Sequence, residues 1–99
     1  MRSTDITLTA KGFVSVTVTG KVTVKNENGS PVAGATVYIT WTRPDGSKIN
    51  QSAQTGASGV ATFTTSAGRG AYTLTVTDIT KTGTNFDPAN SVLSKSITR

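Results

Sequence analysis

Apolar residues alternate with Thr or Ser along much of this sequence. The clearest run covers residues 13–26, where five valines share one parity: Val14, Val16, Val18, Val22 and Val24. A period of two is the pattern of a β-strand with one buried face and one wet face. No segment shows helical spacing, so the pattern predicts an all-β fold. We expect the valine face to be core, with a bulge or bend at Gly20.

The same alternation predicts further strands before and after this run. Ile6 and Leu8 indicate an earlier strand, which a break at Lys11-Gly12 separates from the valines. Pro44-Asp45-Gly46 is typical of a turn and predicts a hairpin between residues 35–43 and 47–54. The remaining strands are marked by three apolar groups: Val60, Ala61 and Phe63; Tyr72, Leu74 and Val76; and, more weakly, Val92, Leu93 and Ile97.

About seven short strands, with turn signals every 8 to 12 residues or so, favour a two-sheet antiparallel sandwich of the immunoglobulin-like type. A length of 99 residues fits a single domain covering residues 1–99. The apolar runs are far shorter than the roughly 20 residues of a membrane helix, and the start lacks a signal-peptide hydrophobic region. We therefore expect no membrane insertion.

Composition removes most routes to catalysis. The chain has no Cys and no His, so the usual nucleophile, general base and metal ligands are missing. A pair of carboxylates could in principle cleave glycosides. The candidates for such a pair are Asp45, Asp78 and Asp87, and each is as readily explained as a turn former. We expect no enzymatic activity. The net charge is +5, and the Lys and Arg residues occur singly along the chain, without a basic run. This distribution argues against nucleic acid as a partner.

Three stretches resemble bacterial immunoglobulin-like modules of the invasin-type and carboxypeptidase-regulatory-like groups. They are residues 28–37 (NGSPVAGATV), 55–63 (TGASGVATF) and 70–76 (GAYTLTV). The first is a tight turn at Asn28-Gly29 and a Pro-guided entry into a strand, with Gly34 where a side chain would crowd the bend. Residues 77–90 are also similar to modules appended to secreted bacterial proteases and glycoside hydrolases.

The resemblance implies a non-catalytic accessory module that spaces, stabilises or docks a larger secreted or cell-surface bacterial protein. Its partners would be neighbouring domains of the parent chain, and we expect a monomer. Two alternatives stay open: a carbohydrate-binding module that recognises a polysaccharide, and a protein-binding adhesin domain that recognises a surface protein. Self-association would appear as a mass that depends on concentration.

Two groups of residues are candidate sites. Sugar binding usually needs an exposed aromatic ring face. Trp41 and Tyr72 share parity with core residues, and Phe86 is expected to plug an end of the sandwich, which leaves Tyr38 as the candidate ring. Calcium needs several converging oxygen ligands, and the sequence offers one such cluster: Asp78, Asn85, Asp87 and Asn90. The competing explanation is that these residues cap turns, with no cofactor bound.

Overall fold

Seven strands form two antiparallel sheets in the computed structural model of the protein. Residues 1–99 are described, with Asn90 described by its backbone alone. One short 3-10 helix, Pro88–Asn90, precedes the last strand. The strands are β1 (Arg2–Lys11), β2 (Val16–Lys25), β3 (Thr36–Thr42), β4 (Lys48–Gln54), β5 (Val60–Ala67), β6 (Ala71–Thr80) and β7 (Ser94–Thr98).

The two sheets have the strand orders β1-β2-β5 and β4-β3-β6-β7. The alternating sequence forms these strands because β-branched side chains suit a pleated surface with one face packed and one wet. The predicted all-β sandwich is confirmed, and so is the hairpin between β3 and β4. In the part of the chain that the structure describes, no helix is long and apolar enough to cross a membrane.

The core lies between the facing surfaces of the two sheets. Trp41 on β3 and Tyr72 on β6 are its largest fully buried side chains, as their parity predicted. The Tyr72 hydroxyl donates a hydrogen bond of 2.6 Å to the carbonyl of Gly68, four residues upstream. A buried Trp on the third strand and a Tyr bonded back to the chain just upstream are both features of immunoglobulin-like sandwiches.

Gly20 lies at the centre of β2 and provides space for the opposite sheet. It pairs with Leu8 on β1 and Phe63 on β5, and neither ladder is interrupted there, so the predicted bulge is wrong. A Cβ placed on Gly20 would come within 2.6 Å of Leu74 Cδ1 and 3.0 Å of Trp41 Cη2. The missing side chain therefore lets the opposite sheet pack closely onto β2.

Val14 was expected in the core, and this expectation is wrong. β2 begins only at Val16, and residues 12–15 form the turn that joins β1 to β2. The Val14 side chain is 91% exposed, and that of Phe13 beside it is 75% exposed. The alternating pattern begins in the sequence before the first paired residue of β2. It determines which way a side chain points only where the strand is paired in a sheet.

Gly34 and the residues Val92 and Leu93 also differ from what the sequence predicted. A Cβ on Gly34 would meet open space, so crowding is not the reason for a glycine there. The reason is its φ of +71°, a conformation that L-residues rarely adopt. Val92 and Leu93 were expected to mark the last strand, but β7 begins at Ser94 and both side chains are exposed. They belong to the crossing segment, defined as residues 85–93, which connects β6 to β7 of the same sheet and on its way contacts β1 of the other sheet.

Polar side chains connect the two sheets along both sides of the sandwich. On one side, Gln51 on β4 accepts a 2.9 Å hydrogen bond from the Trp41 indole and donates one of 2.9 Å to the Thr64 carbonyl on β5. On the other side, the fully buried Ser3 on β1 donates a 2.7 Å bond to the carbonyl of Val92 in the crossing segment. These bonds hold the sheet edges in register.

Thr55 organises the entry into β3. Its buried hydroxyl donates to the Val32 carbonyl at 2.6 Å and accepts from the Ala35 amide at 3.0 Å. Its own amide bonds the Ala35 carbonyl at 2.8 Å, and its carbonyl accepts from the Gly34 amide at 2.9 Å. One residue thus satisfies the backbone of the turn that precedes β3.

The first and last residues lie at opposite ends of the sandwich, which measures 43 × 21 × 18 Å. Met1 donates a 2.7 Å bond from its amine to the Asn85 carbonyl, beside the turn at residues 26–29. The Arg99 amide bonds the Gly70 carbonyl at 3.0 Å, and Gly70 packs against Pro44. We call these the N-terminal end (Met1, residues 26–31 and 81–87) and the C-terminal end (residues 12–15, 43–47, 68–70 and Arg99).

We expect Gly20→Ala to lower the free energy of unfolding by about 1–3 kcal/mol, because the new methyl group would overpack the core against Leu74 and Trp41. Chemical denaturation measures the change. Gly56→Ala is the matched control, because Gly56 has open space around it and should lose no stability. Equal effects of the two substitutions would show that close packing at Gly20 is not what requires a glycine.

We expect Thr55→Val to destabilise the protein by about 1–3 kcal/mol, because a side chain of similar shape would leave the Ala35 amide and the Val32 carbonyl without their bonds. Thr55→Ser keeps the hydroxyl and should lose distinctly less. Thermal unfolding of the three proteins tests this, and a Val variant as stable as the Ser variant would contradict it.

Candidate functional site

The outer face of the four-stranded sheet carries one large aromatic side chain, Tyr38. On β3 the side chains of Val37, Ile39 and Trp41 point into the core, so Tyr38 points outward and is 41% exposed. Its predicted exposure is therefore what the structure shows. The rest of this outer face is largely Thr, Ser, Asn and Gln, which gives the ring polar neighbours.

Tyr38 borders a shallow depression of about 460 Å³ between β4 and β6. Ser52 on β4 is its direct partner across the hairpin, and Asn50 follows on the same outer face. Thr40 donates a 2.8 Å bond to Asn50 Oδ1, which orients that amide. Because amide and hydroxyl groups flank one ring face, the arrangement can offer both stacking and hydrogen bonds to a ligand.

A β-bulge at Thr77 shapes the other edge of this depression. Tyr38 pairs with Asp78, whereas Ile39 pairs with Val76, so Thr77 is the extra residue on β6. The Thr77 hydroxyl donates a 3.1 Å bond to the Tyr38 carbonyl, which fixes the bulge. This bulge was not predicted from the sequence, although Val76 and Ile79, which both point inward, are three positions apart and so break the period of two.

Three of the four residues of the predicted calcium site line two depressions at the N-terminal end, and Asn85 lines both. Asp78 and Asn85 line one of about 450 Å³, beside the turn after β6. Asn85 and Asp87 line another of about 410 Å³, beside Met1 and Glu27. Asp78 lies within β6, paired with Tyr38, and its carboxylate accepts a 2.8 Å bond from the Ile79 amide, so it is a strand residue and not the turn former that the sequence suggested. The side chain of Asn90 lies outside the described residues.

Among the side chains that the structure describes, no three carboxylates are close enough to share a metal ion. Calcium can also take amide and carbonyl oxygens as ligands, so binding at Asp78, Asn85, Asp87 and Asn90 stays a prediction that this geometry does not test. Asp78 and Asp87, which the sequence offered as possible catalytic carboxylates, line separate depressions.

Asp45, the third candidate carboxylate, lies at the C-terminal end in the β3–β4 turn. It accepts bonds from the hydroxyl and the amide of Ser47, at 2.6 and 2.9 Å. The Ser47 hydroxyl bond is the largest cause that lowers the pKa of Asp45, followed by the Ser47 amide, and nearby Arg43 lowers it further. Through these two bonds the carboxylate stabilises the β3–β4 turn, which is the structural role that the sequence suggested for it.

Residues 9–96 match the macroglobulin domain MG4 family. No curated protein and no solved structure matches the sequence. The MG4 domain is a non-catalytic immunoglobulin-like domain that occurs within larger multidomain proteins. The resemblance drawn from the sequence is therefore confirmed for the immunoglobulin-like sandwich, whereas the invasin-type and carboxypeptidase-regulatory-like groups remain a hypothesis. Because the match runs from within β1 to within β7, this chain belongs to the macroglobulin domain MG4 family.

Proposed function

We propose that this chain is a non-catalytic spacer module of a larger extracellular protein and that it separates the domains joined to its two ends. The observation that carries the proposal is the position of Met1 and Arg99 at opposite ends of a 43 Å sandwich. Macroglobulin-type domains are typically extracellular, which supports the setting. A bacterial secreted or cell-surface parent is the specific form that we propose, in line with the sequence resemblance.

The length of the module comes from its long strands. β1, β2 and β6 each have ten residues, and a strand rises about 3.3 Å per residue, so each extends over roughly 30 Å. Both chain ends are anchored to this frame. The Met1 side chain is buried, and the Asp87 amide donates a 2.8 Å bond to its carbonyl. The Arg99 amide is bonded to Gly70. Neighbouring domains would therefore connect to fixed points.

The ends are also anchored in different sheets, since β1 belongs to one and β7 to the other. Their ladder bonds are perpendicular to the strands, so a pull along the long axis loads many of them at once. Ser3 and Val92 join β1 to the crossing segment by two bonds of 2.7 and 2.8 Å. This lateral connection opposes sliding of one sheet past the other.

We expect the module to hold two attached domains apart at a fixed distance. When it is inserted between two small folded reporter domains, X-ray scattering should show a maximum dimension about one domain length greater than in a direct fusion. Spin labels on the reporters should give a narrow distribution of distances. A Gly/Ser linker of 99 residues is the control, and it should give a broad distribution with a root-mean-square span of about 50–60 Å. A distribution as broad as the control would contradict the spacer role.

A second candidate function, carbohydrate binding, is supported by the exposed ring of Tyr38. A ring face with Asn50, Ser52 and Thr77 around it suits a sugar whose apolar face stacks while its hydroxyls bond the amide and hydroxyl groups. One ring offers a small contact area, so binding would be weak and would need a repeating polymer for retention. The spacer role does not depend on this site.

We expect the purified domain to be retained on one of four insoluble polymers, namely cellulose, chitin, xylan and peptidoglycan, if the Tyr38 face binds sugar. Tyr38→Ala should weaken retention about tenfold because the stacking surface is lost, whereas Tyr38→Phe keeps the ring and should retain most of it. Circular dichroism checks that both variants fold. No retention on any polymer would remove this candidate and leave the spacer role as it stands.

A further inference from the structure

The outer face of the three-stranded sheet is polar and rich in hydroxyl groups. Its side chains alternate with the core residues along β1, β2 and β5, and most of them are exposed. Eight carry hydroxyl groups: Thr7, Thr9, Thr17, Thr19, Thr23, Thr62, Thr64 and Ser66. Among the described side chains, the exposed large apolar ones lie elsewhere. We call this surface the hydroxyl face.

Most of the net positive charge is on the hydroxyl face. It carries four cations and one carboxylate: Arg2, Lys11, Lys21 and Lys25, with Asp5. The outer face of the four-stranded sheet carries one of each, Lys48 and Asp78. The other charged side chains lie at the ends and sides of the sandwich: Arg43, Arg69, Lys81, Lys95 and Arg99, with Glu27, Asp45 and Asp87. The hydroxyl face therefore accounts for three of the five net positive charges.

The lysines of this face are regularly spaced along the strands. Lys11 on β1 lies opposite Thr17 on β2, and Lys21 and Lys25 follow at intervals of four residues. A strand rises about 3.3 Å per residue, so successive positions are roughly 13 Å apart. This spacing exceeds the Debye length of about 8–10 Å in ordinary salt. The three ammonium groups therefore do not converge on one small anion, whereas an extended anionic chain can contact all of them.

Carboxylates offset this charge only toward the N-terminal end. Asp5 lies one diagonal step from Lys21 across the β1–β2 ladder. Arg2 lines the depression that also contains Glu27 and Asp87. The other half of the face, toward the C-terminal end, has no carboxylate among its described side chains. Its lysines are therefore the groups most available to an anionic ligand.

A row of three threonines lies between Lys11 and Lys21. Thr9, Thr19 and Thr64 are direct partners across β1, β2 and β5. A hydroxyl group can both donate and accept hydrogen bonds, and the hydroxyls of a sugar do the same. The face thus presents ammonium groups for acidic groups and, between them, hydroxyl groups for uncharged parts of a sugar chain.

We propose that the hydroxyl face binds a linear acidic polysaccharide that lies along β1 and β2. Its carboxylates would contact the lysines, and its hydroxyls would bond the threonine row. Single-stranded nucleic acid fits less well, because its phosphates are about 3.4 Å apart along the axis and no aromatic ring is exposed here for a base to stack on. An anionic membrane also fits less well, because the face has no exposed large apolar side chain to enter it.

This site is separate from both functions proposed above. It lies on the sheet opposite to that of Tyr38, and it does not depend on where the chain ends are. Either of those proposals can therefore fail without affecting this one. The charged contacts are exposed to solvent, so binding should be weak and should decrease as salt is added.

The experiment is an NMR titration of the 99-residue chain with alginate, a linear polymer of uronic acids, at low ionic strength. Backbone amides of residues 7–11 and 17–25 should shift, whereas those of residues 36–42 and 48–54 should not. Added salt should reverse the shifts. Dextran, an uncharged polysaccharide, should produce none, because the ammonium groups supply most of the attraction.

Four variants identify which groups bind. Lys21→Gln should weaken alginate binding about fivefold, the loss expected for one ammonium group at an anionic surface. Lys48→Gln is the matched control, because it removes the same charge from the opposite outer face, and it should leave binding unchanged. Thr19→Val keeps the β-branched shape and should weaken binding about threefold by removing one hydroxyl. Tyr38→Ala should bind alginate as the parent chain does.

The NMR spectrum of each free variant checks that it is folded. Equal losses from Lys21→Gln and Lys48→Gln would show that only net charge matters and would overturn the proposal. Shifts spread over both outer faces, or no binding to alginate at low salt, would also overturn it. So would tighter binding to DNA or to phosphatidylglycerol vesicles than to alginate.

Discussion

Because Gly20 has no side chain, the four-stranded sheet packs directly onto the centre of β2. Trp41 and Leu74 extend from one sheet to the place where β2 has no side chain, and the remaining core residues pack around that contact. Interiors are packed as densely as organic crystals, so a change of one methyl group at such a point is felt by its neighbours. The position of β2 therefore fixes the position of β3 and β6.

A sandwich closed only by apolar packing would leave its sides open, and here polar groups close them. Gln51 connects Trp41 to β5 on one side, and Ser3 connects β1 to the crossing segment on the other. Each such bond adds little net stability, but an arrangement that left its buried donor or acceptor unpaired would be costly. They select one alignment of the sheets among those that burial of valines alone would allow.

This alignment also determines what the surface can do. It places Met1 and Arg99 at opposite ends, sets Tyr38 among hydroxyl and amide groups, and gathers four of the five carboxylates in the half nearer Met1. This placement of the carboxylates cannot be predicted from the net charge, because the charged residues are scattered along the chain. Antiparallel pairing folds distant segments onto the same end, which is why a scattered sequence yields an ordered charge distribution.

Alternation in the sequence was enough to predict the strand content, the class of fold and the inward faces of β2 and β3, because a period of two directly encodes which side chains point inward. It also identified Tyr38 as an outward aromatic residue. Three features follow from the folded chain instead: Val14 lies outside the ladder, Gly20 makes room for Trp41, and Asp78 and Asp87 line separate depressions. These features arise from contacts between residues far apart in the chain, and periodicity, being a local property, carries no information about them.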